Sequence, residues 1–90
     1  MPKFGKEITI KSSQGLHARP AALFVQIANK YNSHVTIAKG EEKVNGKSIM
    51  GILTLGAERG STLFIEVDGE DAQALLGELE ELLTKESNIK

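Results

Sequence analysis

The chain of 90 residues contains no cysteine and no tryptophan, and aromatic residues make up only 4% of it. The absence of cysteine excludes a disulfide framework and a thiolate metal site. No apolar run is long enough to span a bilayer, and the N-terminus lacks the apolar stretch of a secretory signal. We therefore expect a cytoplasmic protein that does not insert into a membrane.

The composition is otherwise that of a folded domain, with 40% hydrophobic and 26% charged residues. A net charge of −1 argues against strong nonspecific nucleic-acid binding. The charges are segregated, since residues 1–47 carry eight Lys or Arg against three acids and residues 66–86 carry eight acids against one Lys. This length has room for one hydrophobic core, so we expect residues 1–90 to form a single domain.

Apolar periodicity predicts seven elements in the order βαββαβα, with an antiparallel or mixed sheet that helices cover on one face. Outward strand positions are mostly polar, which is typical of an open sheet face, and Phe64 is an unexplained apolar exception. The predicted elements are strands at 6–11, 34–40, 41–46 and 61–69 and helices at 17–31, 47–56 and 70–85.

The stretch "GLHARPA" at residues 15–21 places a histidine, an arginine and a proline together. If His17 lies at the N-cap of the first helix, the free amides of the first turn and the helix dipole form an anion site beside its ring. Arg19 adds a cation suited to phosphate oxygens, and Pro20 is tolerated in the first turn. A neutral imidazole is a competent nucleophile, so the stretch suits a phosphoryl group that is accepted and passed on.

A histidine near a helix start can also be a plain capping or surface residue, and that alternative stays open. No P-loop, carboxylate pair or metal-ligand spacing accompanies His17, so a self-sufficient enzyme is poorly supported. His34, at the start of a strand, is interpreted as a surface residue. A metal site built from the two histidines is disfavoured, because no carboxylate clusters with them in the sequence.

A second stretch, "VNGKSIMGIL" at residues 44–53, places a serine before an apolar cluster. Ser48 follows Lys47 and is a plausible N-cap, where a phosphate would be tolerated. Ile49 and Met50 lie early in a short element, which favours an exposed docking patch that Leu23 could extend. Packing of the cluster against itself is the alternative. The further members of the predicted patch are Ile27 and Leu53.

Together, "GLHARPA", "LFVQIANKY" and "KSIMGILTLG" resemble the HPr family of the bacterial phosphoenolpyruvate:sugar phosphotransferase system. The resemblance runs over roughly residues 5–85, in the family's order and spacing. It implies an α+β open-faced sandwich, in which a four-stranded antiparallel sheet carries three helices on one face. It also implies a phosphoryl carrier that is a substrate of enzymes, needs no cofactor or metal, and is a monomer.

The resemblance implies a role for each matching residue. His17 would accept the phosphoryl group at Nδ1, stabilised by the Arg19 side chain and the amides of Ala18 and Arg19. Enzyme I would donate the group and sugar-specific IIA domains would take it. Ser48 would be the regulatory site of an HPr kinase/phosphorylase, and its phosphorylated form would serve a catabolite control protein. The resemblance places Ile49, Met50 and Leu53 on a partner-binding surface. The full predicted set of partner-binding residues also includes Leu23, Ile27 and Lys47.

The family includes a paralogue type that keeps the serine and lacks the histidine, and the presence of His17 disfavours it. Another paralogue type serves a nitrogen-related relay that moves no sugar, and that alternative stays open. A regulator that acts mainly by docking through Ile49 and Met50 is one alternative function. A small anion-binding α+β module without a covalent step is the other.

Overall fold

The computed structural model describes residues 2–13 and 15–85. Its seven elements confirm the predicted order βαββαβα. The strands are β1 (Lys3–Thr9), β2 (His34–Lys39), β3 (Glu42–Asn45) and β4 (Thr62–Asp68), and the helices are α1 (Ala18–Ala28), α2 (Ile49–Thr54) and α3 (Ala72–Thr84).

The four strands form one sheet in the order β1-β4-β2-β3, and every neighbouring pair is antiparallel. The register pairs Ile8 with Leu63 and Ile37 with Ile65, so the β-branched and leucine side chains share one face. That face is buried beneath the helices, while the other is open to solvent. The sequence-based expectation of an open-faced α+β sandwich is confirmed.

The helices complete the core with stripes that the sequence spacing predicts. Phe24, at the centre of the buried face of α1, is fully enclosed, and α3 buries a leucine at every turn. Val25 is half-buried at the edge of the α1 stripe. The buried helical residues are Ala21, Phe24 and Ala28 of α1, Ile52 of α2, and Ala72, Leu75, Leu79 and Leu83 of α3.

Phe64 lies on the open face of the sheet because Gly5 makes room for its ring. A β-carbon added at Gly5 would lie 2.5 Å from Cζ of Phe64. The two residues are diagonal neighbours on β1 and β4, since Gly5 pairs with Glu66 and Phe64 with Glu7. The ring therefore covers glycine backbone but remains 45% exposed.

The first helix ends earlier than the sequence predicts, at Ala28 rather than at residue 31. Asn29 closes it, because its side-chain amide donates to the Val25 carbonyl at 3.0 Å. Tyr31 then turns toward α3, where its hydroxyl donates to Glu78. A local bond from Asn29 and a bond from Tyr31 to a residue distant in the sequence thus replace the last predicted helical turn.

Asp71 binds the two residues that precede β2 rather than capping its own helix. It occupies the N-cap position of α3 without a capping hydrogen bond. Its carboxylate instead accepts the amides of Asn32 at 2.9 Å and Ser33 at 3.0 Å, together with the Ser33 hydroxyl. These hydrogen bonds, that of the Ser33 hydroxyl first, lower the pKa of Asp71 below its ordinary value.

Stability should decline on acidification, because Asp71 and Glu78 both have lowered pKa values. The Tyr31 hydroxyl and then the Lys30 ammonium stabilise the Glu78 carboxylate. A lowered folded-state pKa contributes stability above the unfolded pKa of about 4 and loses it as the pH falls through the folded value. We expect the Tm to fall between about pH 5 and pH 2 by more than in the Asp71→Asn variant.

Glu81→Gln is the matched control for that measurement. Glu81 is an exposed carboxylate of α3 without a side-chain partner among the described residues. Its replacement should leave the acid limb of the Tm profile as in the wild type. If Asp71→Asn and Glu81→Gln gave the same profile, the hydrogen bonds to Asp71 would not contribute to the pH dependence.

Candidate functional site

His17 lies at the N-cap of α1 with an exposed imidazole. Its backbone is extended, with φ −83° and ψ −165°, and its side chain makes no capping hydrogen bond. The structure therefore places His17 at the N-cap, as the sequence predicts. Because no hydrogen bond to the described residues engages the ring nitrogens, either nitrogen can meet an incoming electrophile.

The amides of Ala18 and Arg19 are the donors at this helix end. The first intrahelical bond runs from the Ala21 amide to the His17 carbonyl at 2.8 Å, and Pro20 has no amide hydrogen. Within residues 2–13 and 15–85, neither of the two amides has an acceptor. Both can serve an anion in line with the positive end of the helix dipole.

Arg19 supplies the cation of the site. Its side chain is exposed, and it makes no hydrogen bond or ion pair with the described part of the chain. The guanidinium can therefore turn toward an anion at the helix end without breaking an existing contact. The structure thus brings His17, Ala18 and Arg19 together, as the sequence predicts.

The loop before His17 is seated on residues far along the chain. The Leu16 amide donates to the Ala57 carbonyl at 3.0 Å, and the Leu16 side chain is buried. Gly15 has φ 61°, and a β-carbon there would lie 2.8 Å from Cα of Glu58. Sequence reasoning missed this seat at residues 57–58, because no local pattern links it to His17.

His34 takes no part in this site. It begins β2, opposite Asp68 of β4, beyond the far end of α1. The 11 residues of α1, a helix about 16 Å long, lie between the two histidines in the chain. Among the described residues, no group of three or more histidine and acidic side chains could hold a metal ion.

Ser48 is the N-cap of α2, as the sequence predicts. Its hydroxyl oxygen accepts the Gly51 amide at 3.1 Å. The preceding turn is well fixed, because the Asn45 side chain accepts the Lys47 amide at 2.8 Å and Gly46 donates to the Val35 carbonyl at 2.8 Å. The hydroxyl is consequently held at a defined, half-buried position in front of the helix.

Lys47 reaches away from Ser48 to the turn that follows α1. Its ammonium donates to the Tyr31 carbonyl at 2.8 Å, in a half-buried position. A partner that contacts the Lys47 ammonium must compete with this bond.

The predicted docking residues divide into exposed and half-buried members. Met50 is the most exposed at 67%, and Leu23, Ile49 and Leu53 are also exposed large apolar side chains. Ile27, by contrast, is half-buried and packs against the core. Because α1 and α2 pack on each other, the exposed members lie on adjacent helices. We call Leu23, Ile49, Met50 and Leu53 the apolar patch.

The fold and the site define a class of small α+β sandwich that exposes a histidine at the N-terminus of a helix. The chain belongs to the HPr family of the phosphotransferase system, since a family model described as "PTS HPr component phosphorylation site" matches residues 4–85. No helix in the described ranges is long and apolar enough to cross a lipid bilayer.

Similar proteins include both phosphocarriers and an HPr-like protein. The HPr-like protein Crh of Halalkalibacterium halodurans is 44% identical over 90% of this chain and 96% of its own. The crystal structure of the phosphocarrier protein HPr from Bacillus anthracis superposes with a TM-score of 0.88 at 40% identity, over 92% of this chain and 99% of that one. An HPr dimer from Thermoanaerobacter tengcongensis has a TM-score of 0.70 at 46% identity, over 86% and 91% of the two chains.

Proposed function

We propose that this protein is a phosphocarrier of the sugar phosphotransferase system, which accepts a phosphoryl group on His17 from phospho-enzyme I and passes it to sugar-specific IIA domains. The observation that carries the proposal is the exposed imidazole of His17 at the N-cap of α1, beside two amides and an Arg19 side chain that have no partner among the described residues. We also propose that it acts in the cytoplasm as a monomer.

The transfer requires a neutral imidazole with its proton on Nε2, which leaves the Nδ1 lone pair free. That lone pair attacks phosphorus, a P–N bond forms at Nδ1, and the bond between phosphorus and the donor breaks with its electron pair left on the donor. The amides of Ala18 and Arg19 and the Arg19 guanidinium stabilise the phosphoryl oxygens. The reverse sequence of bond changes delivers the group to the next acceptor.

Exposure of the ring supports a carrier rather than an enzyme. A carrier must present one atom first to a donor and then to an acceptor, and the accessible imidazole of His17 meets that requirement. The apolar patch begins with Leu23, about 9 Å along the axis of α1 from His17. It offers partner proteins a hydrophobic surface beside the reacting group.

Ser48 supports a second, regulatory part of the proposal. An HPr kinase/phosphorylase would modify its hydroxyl, and a catabolite control protein would bind the product through the apolar patch. The similarity to a Crh protein favours this part specifically. A function by docking alone is the second candidate, and the presence of His17 favours the carrier over it.

The proposal is tested by the intact mass of the protein after incubation with phosphoenolpyruvate, Mg²⁺ and an active enzyme I. We expect one phosphoryl group that mild acid removes, since phosphoimidazole is acid-labile and a phosphoserine is not. If no adduct formed while the same enzyme I was active on a reference HPr, the result would contradict the phosphocarrier proposal and favour a function by docking alone. Light scattering of the same sample measures the molar mass in solution and so tests the proposed monomeric state.

Ser48→Asp should slow phosphoryl transfer from enzyme I at least about tenfold, which corresponds to about 1.4 kcal/mol of transition-state free energy. The reason is an added negative charge beside the apolar patch, where the protein must dock. Initial transfer rates at several concentrations of the variant measure the effect. A rate equal to that of the wild type would show that the serine and histidine sites are not coupled.

Ser48→Ala is the control that separates charge from helix capping. It removes the bond to the Gly51 amide and should cost about 1 kcal/mol of stability without adding a charge. We expect it to retain a transfer rate close to that of the wild type. If it were as slow as Ser48→Asp, the lost cap rather than the charge would explain both variants.

A further inference from the structure

The carbonyl end of α2 meets the side chain of Lys39. The Lys39 ammonium donates to the Leu55 carbonyl at 3.3 Å and lies 3.5 Å from the Gly56 carbonyl. Lys39 ends β2 and is half-buried on the strand face that carries Val35 and Ile37 toward the helices. A cation in this place satisfies carbonyls that a helix leaves unpaired at its C-terminus.

The same short segment holds the loop of the reactive histidine. Leu55 and Gly56 supply the carbonyls that face Lys39, and the next carbonyl, of Ala57, accepts the Leu16 amide at 3.0 Å. His17 follows Leu16 directly. The ammonium and the histidine loop therefore bind consecutive carbonyls of one strip of backbone, residues 55–57.

We propose that Lys39 is a positioning residue for His17, which acts through residues 55–57; this role rests on the proposed phosphocarrier function. The ammonium holds the carbonyl end of α2, and that end holds the Leu16 amide. Without the ammonium the Ala57 carbonyl can shift, and the imidazole moves relative to the amides of Ala18 and Arg19. Misplacement of reacting groups by a fraction of an ångström is enough to slow a transfer.

Lys39→Met tests this role, because it keeps an unbranched apolar stem and removes the ammonium. We expect hydrogen exchange at the Leu16 amide to become several-fold faster, since its acceptor is less well held. We expect phosphoryl acceptance from phospho-enzyme I to slow about three- to tenfold. The loss should lie in kcat with KM little changed, because Lys39 is not part of the apolar patch. Lys39→Arg should restore both readouts.

Lys43→Met is the matched control. Lys43 is an exposed lysine of the neighbouring strand, and it has no side-chain partner among the described residues. It pairs with Ala38, next to Lys39, and so lies on the open face of the sheet, where its replacement removes the same charge without touching residues 55–57. We expect Leu16 exchange and phosphoryl acceptance to match the wild type. That result would show that the effect of Lys39→Met comes from the lost contact with the Leu55 and Gly56 carbonyls, which we call the tether, and not from the lost charge.

The exchange measurement needs no enzyme I, so it distinguishes a failure of the Lys39 role from a failure of the proposed phosphocarrier function. Equal Leu16 exchange in Lys39→Met and Lys43→Met would overturn the tether. Faster exchange with an unchanged kcat would overturn the positioning role, as would a failure of Lys39→Arg to recover. If the wild type accepted no phosphoryl group, the positioning role would fall with the proposed function, while Leu16 exchange would still show whether the tether exists.

Discussion

His17→Ala should abolish the acid-labile phosphoryl adduct while leaving the fold intact. Alanine has no nucleophilic atom, and the proposed transfer has no other acceptor at the N-terminus of α1. Because the imidazole is exposed and makes no capping bond, its loss should change stability by less than about 0.5 kcal/mol. Intact mass with and without acid treatment, beside urea unfolding of the same sample, measures both effects.

The other histidine provides a matched control for this result. His34→Ala removes an exposed imidazole at the opposite end of α1, in the first residue of β2. It should accept a phosphoryl group at the rate of the wild type. An acid-labile adduct that persists in His17→Ala and disappears in His34→Ala would show that His34 is the acceptor and would contradict the assignment to His17.

Gly15→Ala should have the second-largest effect, on both stability and transfer. Gly15 has φ 61°, which costs a residue with a β-carbon about 1–2 kcal/mol. The added carbon would also lie 2.8 Å from Cα of Glu58 and 2.9 Å from the Ala57 carbonyl oxygen, and neither backbone atom can rotate away. With a clash penalty of about 1–3 kcal/mol, we expect a total loss of about 2–5 kcal/mol.

Relief of that clash must move residues 15–16 away from residues 57–58, and His17 moves with them. We therefore expect phosphoryl acceptance to fall by at least about tenfold at temperatures where the variant is folded. Urea unfolding measures the stability, and rapid-quench transfer from phospho-enzyme I measures the rate.

Gly40→Ala isolates the contribution of the clash. Gly40 has the same φ of 61°, but nothing lies within 4 Å of a β-carbon added there. Its cost should be about 1–2 kcal/mol from the backbone alone, with transfer unchanged. If Gly15→Ala and Gly40→Ala were equally stable and equally active, the seat at residues 57–58 would not position the histidine.

The placement of His17 at the N-terminus of α1 could be predicted from the sequence, because the residues that define this helix end are near neighbours in the chain. Three consecutive residues, His17 to Arg19, together with a proline in the first turn, define a helix N-terminus with free amides. The Ser48 cap follows from the same local rule. Neither inference required knowledge of what packs against the helix.

The supports of the site could not be predicted in this way. Lys47 resembles a solvent-exposed cation beside a serine, yet its ammonium binds the Tyr31 carbonyl. Asp71 is a residue type that commonly caps helices, yet its carboxylate binds Asn32 and Ser33, just before β2. In each case the side chain binds a residue that is distant in the sequence instead of a local partner, and the fold of the sheet brings that distant residue close.

The order of elements, the apolar stripes and the two N-caps are thus local properties, since periodicity and capping act within a few residues of chain. Strand order and the seat of residues 15–16 on residues 57–58 depend on contacts between residues far apart in the chain, and so in part does the early end of α1. These contacts form when the sheet and helices bury their common face. The residues next to His17 in the sequence determine the helix end at which its imidazole lies, and the packing of residues 15–16 on residues 57–58 determines the position of that helix end in the molecule.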